Sequence, residues 1–179
     1  MSDADPTPAI APVLHGTHVV LRLVERTDVV ALARILRTPE VAQRWPGDPD
    51  ELAQELPDEG AVGYTILLDG RIIGFVQYGE NDDPMYRHAG IDLFLDPAAH
   101  GRGLGRDTVR TVARHLLVDR GHHRLVIDPS ASNAAAIRCY ASVGFKPVGV
   151  MRRYERGPDG TFHDGVLFDL LAEEFIDAE

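Results

Sequence analysis

The chain has 179 residues, 44% hydrophobic and 26% charged, a balance that fits one compact globular domain and excludes a disordered or membrane-embedded chain. With 28 acidic against 18 basic residues the formal charge is −10, which argues against nucleic acid as a partner and favours cationic molecules near acidic clefts. The single cysteine, Cys139, excludes an intrachain disulfide and a multi-cysteine metal site, and no apolar run nears the roughly 20 residues of a membrane span, so a cytoplasmic protein is expected.

Residues 1–15 read as a flexible tail, because three prolines, small residues and acids in the first twelve cannot bury enough surface to order them. Residues 16–179 form the single domain. VVLRLV (Val19–Val24) is β-branched enough for a strand, and Thr27 with Asp28 offers an N-cap for a helix through Arg37 that Pro39 ends. QRWPGDPDELAQELP carries Trp45, two turn sites and a short acidic helix, which suits a flap over a cleft. Asp69-Gly70 between two apolar runs predicts a hairpin over Tyr64–Tyr78.

A further strand spans about Tyr86–Leu95 and stops at Asp96-Pro97. From Leu104, the residues Val109, Val112, Ala113, Leu116 and Leu117 recur at helical spacing, with Arg106, Arg110 and Arg114 facing away and Gly121 as the stop. His123–Asp128 reads as a buried strand, Ser132 or Asn133 as the cap of a second helix, and Gly144 as its end. Two strands flank the turn Gly157–Gly160, and a short acidic helix closes the chain. Helices between central strands, with hairpins toward both ends, predict a mixed α/β sheet covered on both faces.

HGRGLG (His100–Gly105) lies between a strand and a helix. Its glycines let the backbone approach a ligand while free helix N–H groups point outward, which makes an anion site reinforced by Arg102 and Arg106. A plain tight turn would also read this way. No Gly-Lys-Ser/Thr follows, so a P-loop is not expected, and a dinucleotide loop would follow the first strand.

DPSASNAAAIRCYASVGF (Asp128–Phe145) follows one helix and one strand later. Together the two segments resemble the GNAT superfamily of N-acetyltransferases, over roughly residues 16–172. The resemblance implies a mixed central sheet of about six to seven strands and acetyl-coenzyme A as donor cosubstrate. It places the splayed-strand residues Leu93, Phe94 and Leu95 and the loop His100, Gly101, Arg102, Gly103, Leu104, Gly105 and Arg106 on the cofactor. His100 departs from the family's Gln or Arg, which leaves the backbone cradle intact. Asn133 and Ala136 are implied on the pantetheine side, and Tyr140 beside the departing sulfur.

Within the superfamily, GID (Gly90–Asp92), GLG, DPS-x-SN and AIRCY are most similar to aminoglycoside 6′-N-acetyltransferases. That likeness implies Asp92 beside the attacking amine, Asp128 as a second acid for a cationic substrate, and Trp45 as an aromatic wall. LHGTHVVLRLVERTD and PEVAQRW resemble the ribosomal-protein alanine N-acetyltransferase branch, so a protein N-terminus is the alternative acceptor, and a noncatalytic coenzyme A-binding module the alternative class.

An ammonium cannot attack a thioester, so such a site must bind the cation, remove a proton and stabilise charge on sulfur and carbonyl oxygen. Asp92 is expected to take the proton, Asp128 to orient the amine, Tyr140 to serve the sulfur and a backbone N–H near Leu93 the oxygen. Structural readings compete with each role: an ion pair of Asp92 with Arg87 or Arg138, a helix-capping Asp128, a packed core Tyr140, a lid-anchoring Trp45. His122 and His123 are adjacent, and neighbours on a strand point to opposite faces, so no metal site is expected. Strands 148–156 and 162–170 could pair across a two-fold axis to form a homodimer.

Overall fold

The computed structural model describes residues 11–177. One eight-stranded sheet runs in the order β1-β2-β3-β4-β5-β6-β8-β7. Its strands are β1 (Leu14–His15), β2 (Val19–Leu23), β3 (Ala61–Leu68), β4 (Arg71–Asn81), β5 (His88–Leu95), β6 (Arg124–Ile127), β7 (Lys146–Arg156) and β8 (Phe162–Leu171). The helices are α1 (Val29–Leu36), α2 (Pro39–Ala42), α3 (Pro49–Glu55), α4 (Leu104–Arg114) and α5 (Ala134–Val143).

The eighth strand is the one the sequence reading omitted. β1 has two residues, too few for an alternating pattern, and lies where a tail was expected. Residues 1–10 of that tail fall outside the described residues. Asp107 on α4 accepts the N–H groups of Thr17, His18 and Val19 at 2.6–3.0 Å, which fastens this end of the chain to the helix.

The hairpin turns where expected, with Asp69 and Gly70 both at positive φ, +49° and +75°, the pair that joins two twisted antiparallel strands. Asp28 does not cap α1 with its side chain. It is buried, takes two hydrogen bonds from Arg22 and one from Thr65 Oγ1 at 2.7 Å, and its pKa is lowered by these partners against the cost of burial. Pro39 opens α2 rather than merely closing α1. α4 continues through a π-helical turn, His115–Asp119, to Gly121 at φ +66°. The closing acidic helix is a single 3-10 turn, Ala172–Glu174.

Alternation along β3, β4 and β5 sends side chains to two cores. Tyr64, Ile66, Val76 and Tyr78 pack with α4 and α5 on one face, while Phe75 and Phe94 pack with Leu32, Ile35, Leu36 and Ala53 of α1 and α3 on the other. β5 and β6 are the parallel pair, and they are in register only at Ala89–Leu125 and Gly90–Val126. Beyond Gly90 the two strands diverge, and the wedge between them is where a ligand can enter the sheet.

Candidate active site

Two cavities meet at this wedge. The larger, about 690 Å³, runs from Leu93, Phe94 and Leu95 over the loop and down the α5 face. His100, Gly101, Gly103, Leu104, Gly105 and Arg106 line it, as do Asn133, Ala136 and Tyr140. Gly101 and Gly103 have φ +71° and +76°, and a Cβ at either would meet nothing beyond its chain neighbours within 4 Å, so the loop presents bare backbone to open space. The first N–H groups of α4 have no carbonyl a turn earlier to bond; the first such bond is Asp107 N–H to Gly103 C=O at 3.0 Å. Unpaired N–H groups at a helix start suit a diphosphate, so the loop fits the coenzyme A that its sequence implies.

Two loop residues behave differently from their neighbours. Arg102, between the two left-handed glycines, is exposed and does not line the groove. His100 lines it, but its ring Nε2 lies 3.1 Å from the Leu95 carbonyl, so this side chain braces the loop. Side chains given no place in the groove by sequence complete its walls, among them Arg138 and Cys139 of α5 and Arg44 after α2. Cys139 is held as the neutral thiol by burial, which raises its pKa.

The smaller cavity, about 240 Å³, is lined by Arg44, Trp45, Pro46, Leu52, Asp92, Asp128 and Glu155. Arg44 and Trp45 belong to both cavities. Trp45 packs edge-on against Phe94, 5.1 Å between centroids at 74°, so it anchors its segment on the core and walls the pocket at once.

Asp92 lines the pocket. Solvent reaches it through the cleft mouth, yet protein atoms enclose it on most sides, and this loss of hydration, followed by repulsion from Asp128, pushes its pKa up to about 7. Among the described residues the one hydrogen bond of its carboxylate is from the Leu93 N–H, at 2.9 Å. Neither Arg87 nor Arg138 pairs with it: Arg87 donates to the carbonyls of Arg120 and Gly121, and among the described residues no cation lies within salt-bridge distance of Asp92. Asp128 does not cap α5. That position is held by Asn133, whose Oδ1 accepts the Ala136 N–H at 3.2 Å.

Tyr140 is buried beside Phe145, 6.4 Å between ring centroids, yet lines the larger cavity. Burial, then the negative charge of Asp92, pushes its pKa far up, so the hydroxyl stays protonated. The core position and the groove position are therefore one and the same. Glu155 and its neighbour Tyr154, whose pKa the nearby Asp128 carboxylate, followed by burial, pushes up to about 12, were not found from sequence. They come from β7, and a register break against β8, not a local motif, brings them to the pocket.

Aminoglycoside N(6′)-acetyltransferase type 1 of Klebsiella pneumoniae is 32% identical over 164 residues, 79% of each chain. A crystal structure of aminoglycoside acetyltransferase AAC(6′)-Ib in complex with coenzyme A is similar over 87% of this chain and 96% of that one, at 28% identity and TM-score 0.70. The ribosomal-protein-S5-alanine acetyltransferase of Vibrio fischeri, 18% identical with a TM-score of 0.76 over 93% of this chain and all of that one, shares the fold. The model of the acetyltransferase (GNAT) family matches residues 29–145. A phosphate-ready loop, a splayed parallel strand pair and this match agree: the chain is an N-acetyltransferase of the GNAT family.

Proposed function

We propose that the enzyme transfers an acetyl group from acetyl-coenzyme A to the primary amine of a small cationic acceptor of aminoglycoside or polyamine type. The observation that carries this reading is the junction itself: a groove over the glycine loop and a compact carboxylate-rich pocket share Arg44 and Trp45 and meet at Asp92 and Leu93. The likeness to an aminoglycoside acetyltransferase along most of both chains supports the same acceptor class.

The loop from Gly101 to Arg106 and the start of α4 would hold the diphosphate, and Asn133, Ala136 and Cys139 the pantetheine arm. Bound there, acetyl-coenzyme A supplies an acetyl group activated as a thioester. Asp128 and Trp45 hold the incoming ammonium. Asp92, with a pKa of about 7, accepts its proton near neutrality, directly or through water, where a general base is most effective. Tyr140 remains neutral and offers a proton or hydrogen bond to the departing sulfur. A proton on Asp92 weakens its hold on the Leu93 N–H, which leaves that amide for the carbonyl oxygen.

Thiol release from acetyl-coenzyme A, measured across aminoglycosides, polyamines, amino acids and N-terminal peptides, tests the reading. Turnover confined to the cationic small amines, and lost in Asp92→Asn, is the expected result. Turnover of peptides alone would overturn the acceptor assignment.

A further inference from the structure

The smaller cavity has more negative charge than one proton transfer needs. Besides Asp92 and Asp128 it contains Glu155, while Arg44, the cation among its lining residues, donates to Ser132 Oγ at 2.8 Å. Glu155 reaches the cavity because β7 breaks its register. Met151 faces Gly165 and Glu155 faces His163, so residues 152–154 stand opposite the single Asp164. Such bulges re-aim side chains beside functional sites.

This bulge is clamped to the loop that carries Asp128. Arg153, at φ +50°, donates its N–H to Asp164 Oδ1 at 2.8 Å, and the Asp164 carbonyl accepts the Ala131 N–H at 2.8 Å. Val166 N–H bonds the Pro129 carbonyl at 2.9 Å, and Ser130 bridges Gly165. Gly165 makes room here: a Cβ would lie 2.9 Å from Tyr154 Cδ1, so the ring packs on bare backbone.

We propose that the β7 bulge sets acceptor specificity, with Glu155 holding a second cationic group of the acceptor while Tyr154 braces Asp128, so that the pocket selects di- and polycationic amines over monoamines. This rests on the amine-acceptor reading of the pocket. Glu155 also contributes to the repulsion that raises Asp92, so a second positive charge on the acceptor relieves a strain in the free site. Glu155 is a recognition group and Tyr154 a positioning residue; neither is given a proton to move.

The test compares a linear diamine with the monoamine of equal chain length, by calorimetry in the presence of coenzyme A and by kcat and KM with acetyl-coenzyme A, at one ionic strength. The wild type is expected to bind the diamine at least about tenfold more tightly, a factor typical of one close charge pair. Glu155→Gln should remove that preference through KM, and Glu155→Asp should restore part of it. Tyr154→Phe should lower kcat for both amines without changing their ratio. An equal diamine-to-monoamine ratio in the wild type and Glu155→Gln would overturn the proposal. The binding ratio decides it even without turnover, whereas failure of every amine to be acetylated would overturn the functional reading alone.

Discussion

The two cavities that meet at Asp92 are made of different materials. The groove is built around backbone, with two left-handed glycines, the start of α4 and a strand edge left unpaired by the divergence of β5 from β6, and side chains of α5 complete its walls. The pocket is mostly side chain, drawn from the segment after α2, from β5, from the end of β6 and from a bulge in β7. A backbone site depends on conformation and accepts variation such as His100, because every residue but proline carries the N–H it offers. A side-chain site depends on identity, and single replacements there should separate chemistry from cofactor binding.

The largest effect should fall on the pocket side. Asp92→Asn is expected to lower kcat by about a thousandfold, within the range of a lost general base, with coenzyme A affinity by calorimetry unchanged; a parallel loss of affinity would erase the distinction between the two regions. Tyr140→Phe stands at the boundary. Its loss of kcat should be about a hundredfold, again with little change in coenzyme binding, whereas a drop in melting temperature alone would leave Tyr140 as a core residue only.

The groove should respond in the opposite manner. Gly103→Ala forces a side chain into φ +76° at a cost of roughly 1–2 kcal/mol, and it should weaken coenzyme A binding by about tenfold while kcat at saturation is nearly kept. Asn133→Ala removes the α5 cap and should lower unfolding free energy by about 1 kcal/mol, read from denaturant titration, with Asn133→Ser recovering most of it.

The same contrast explains what could be read from sequence. Backbone devices leave local signatures: Asp69-Gly70, the glycines of the loop, Asn133 and Gly144 each mark a conformation that few residues adopt, and the structure places a turn, a left-handed loop, a cap and a helix end at those points. β1 escaped because two residues at a sheet edge show no period. Glu155 and Tyr154 escaped because a bulge depends on register against β8 and on the bare backbone of Gly165, neither of which is local. Asp28 misled for a related reason. Its position before an apolar run suggests a cap, but Arg22 and Thr65, from two strands, claim the carboxylate.

The assignment of Asp92 as proton acceptor is tested most directly by the pH dependence of kcat/KM, which reports ionisation in the free enzyme. Below about pH 7 Asp92 is protonated and cannot accept, so kcat/KM for a cationic amine should rise through an inflection near 7. In Asp92→Asn that inflection should vanish from the residual rate. An identical inflection in both proteins would contradict the account and assign the proton transfer to another group.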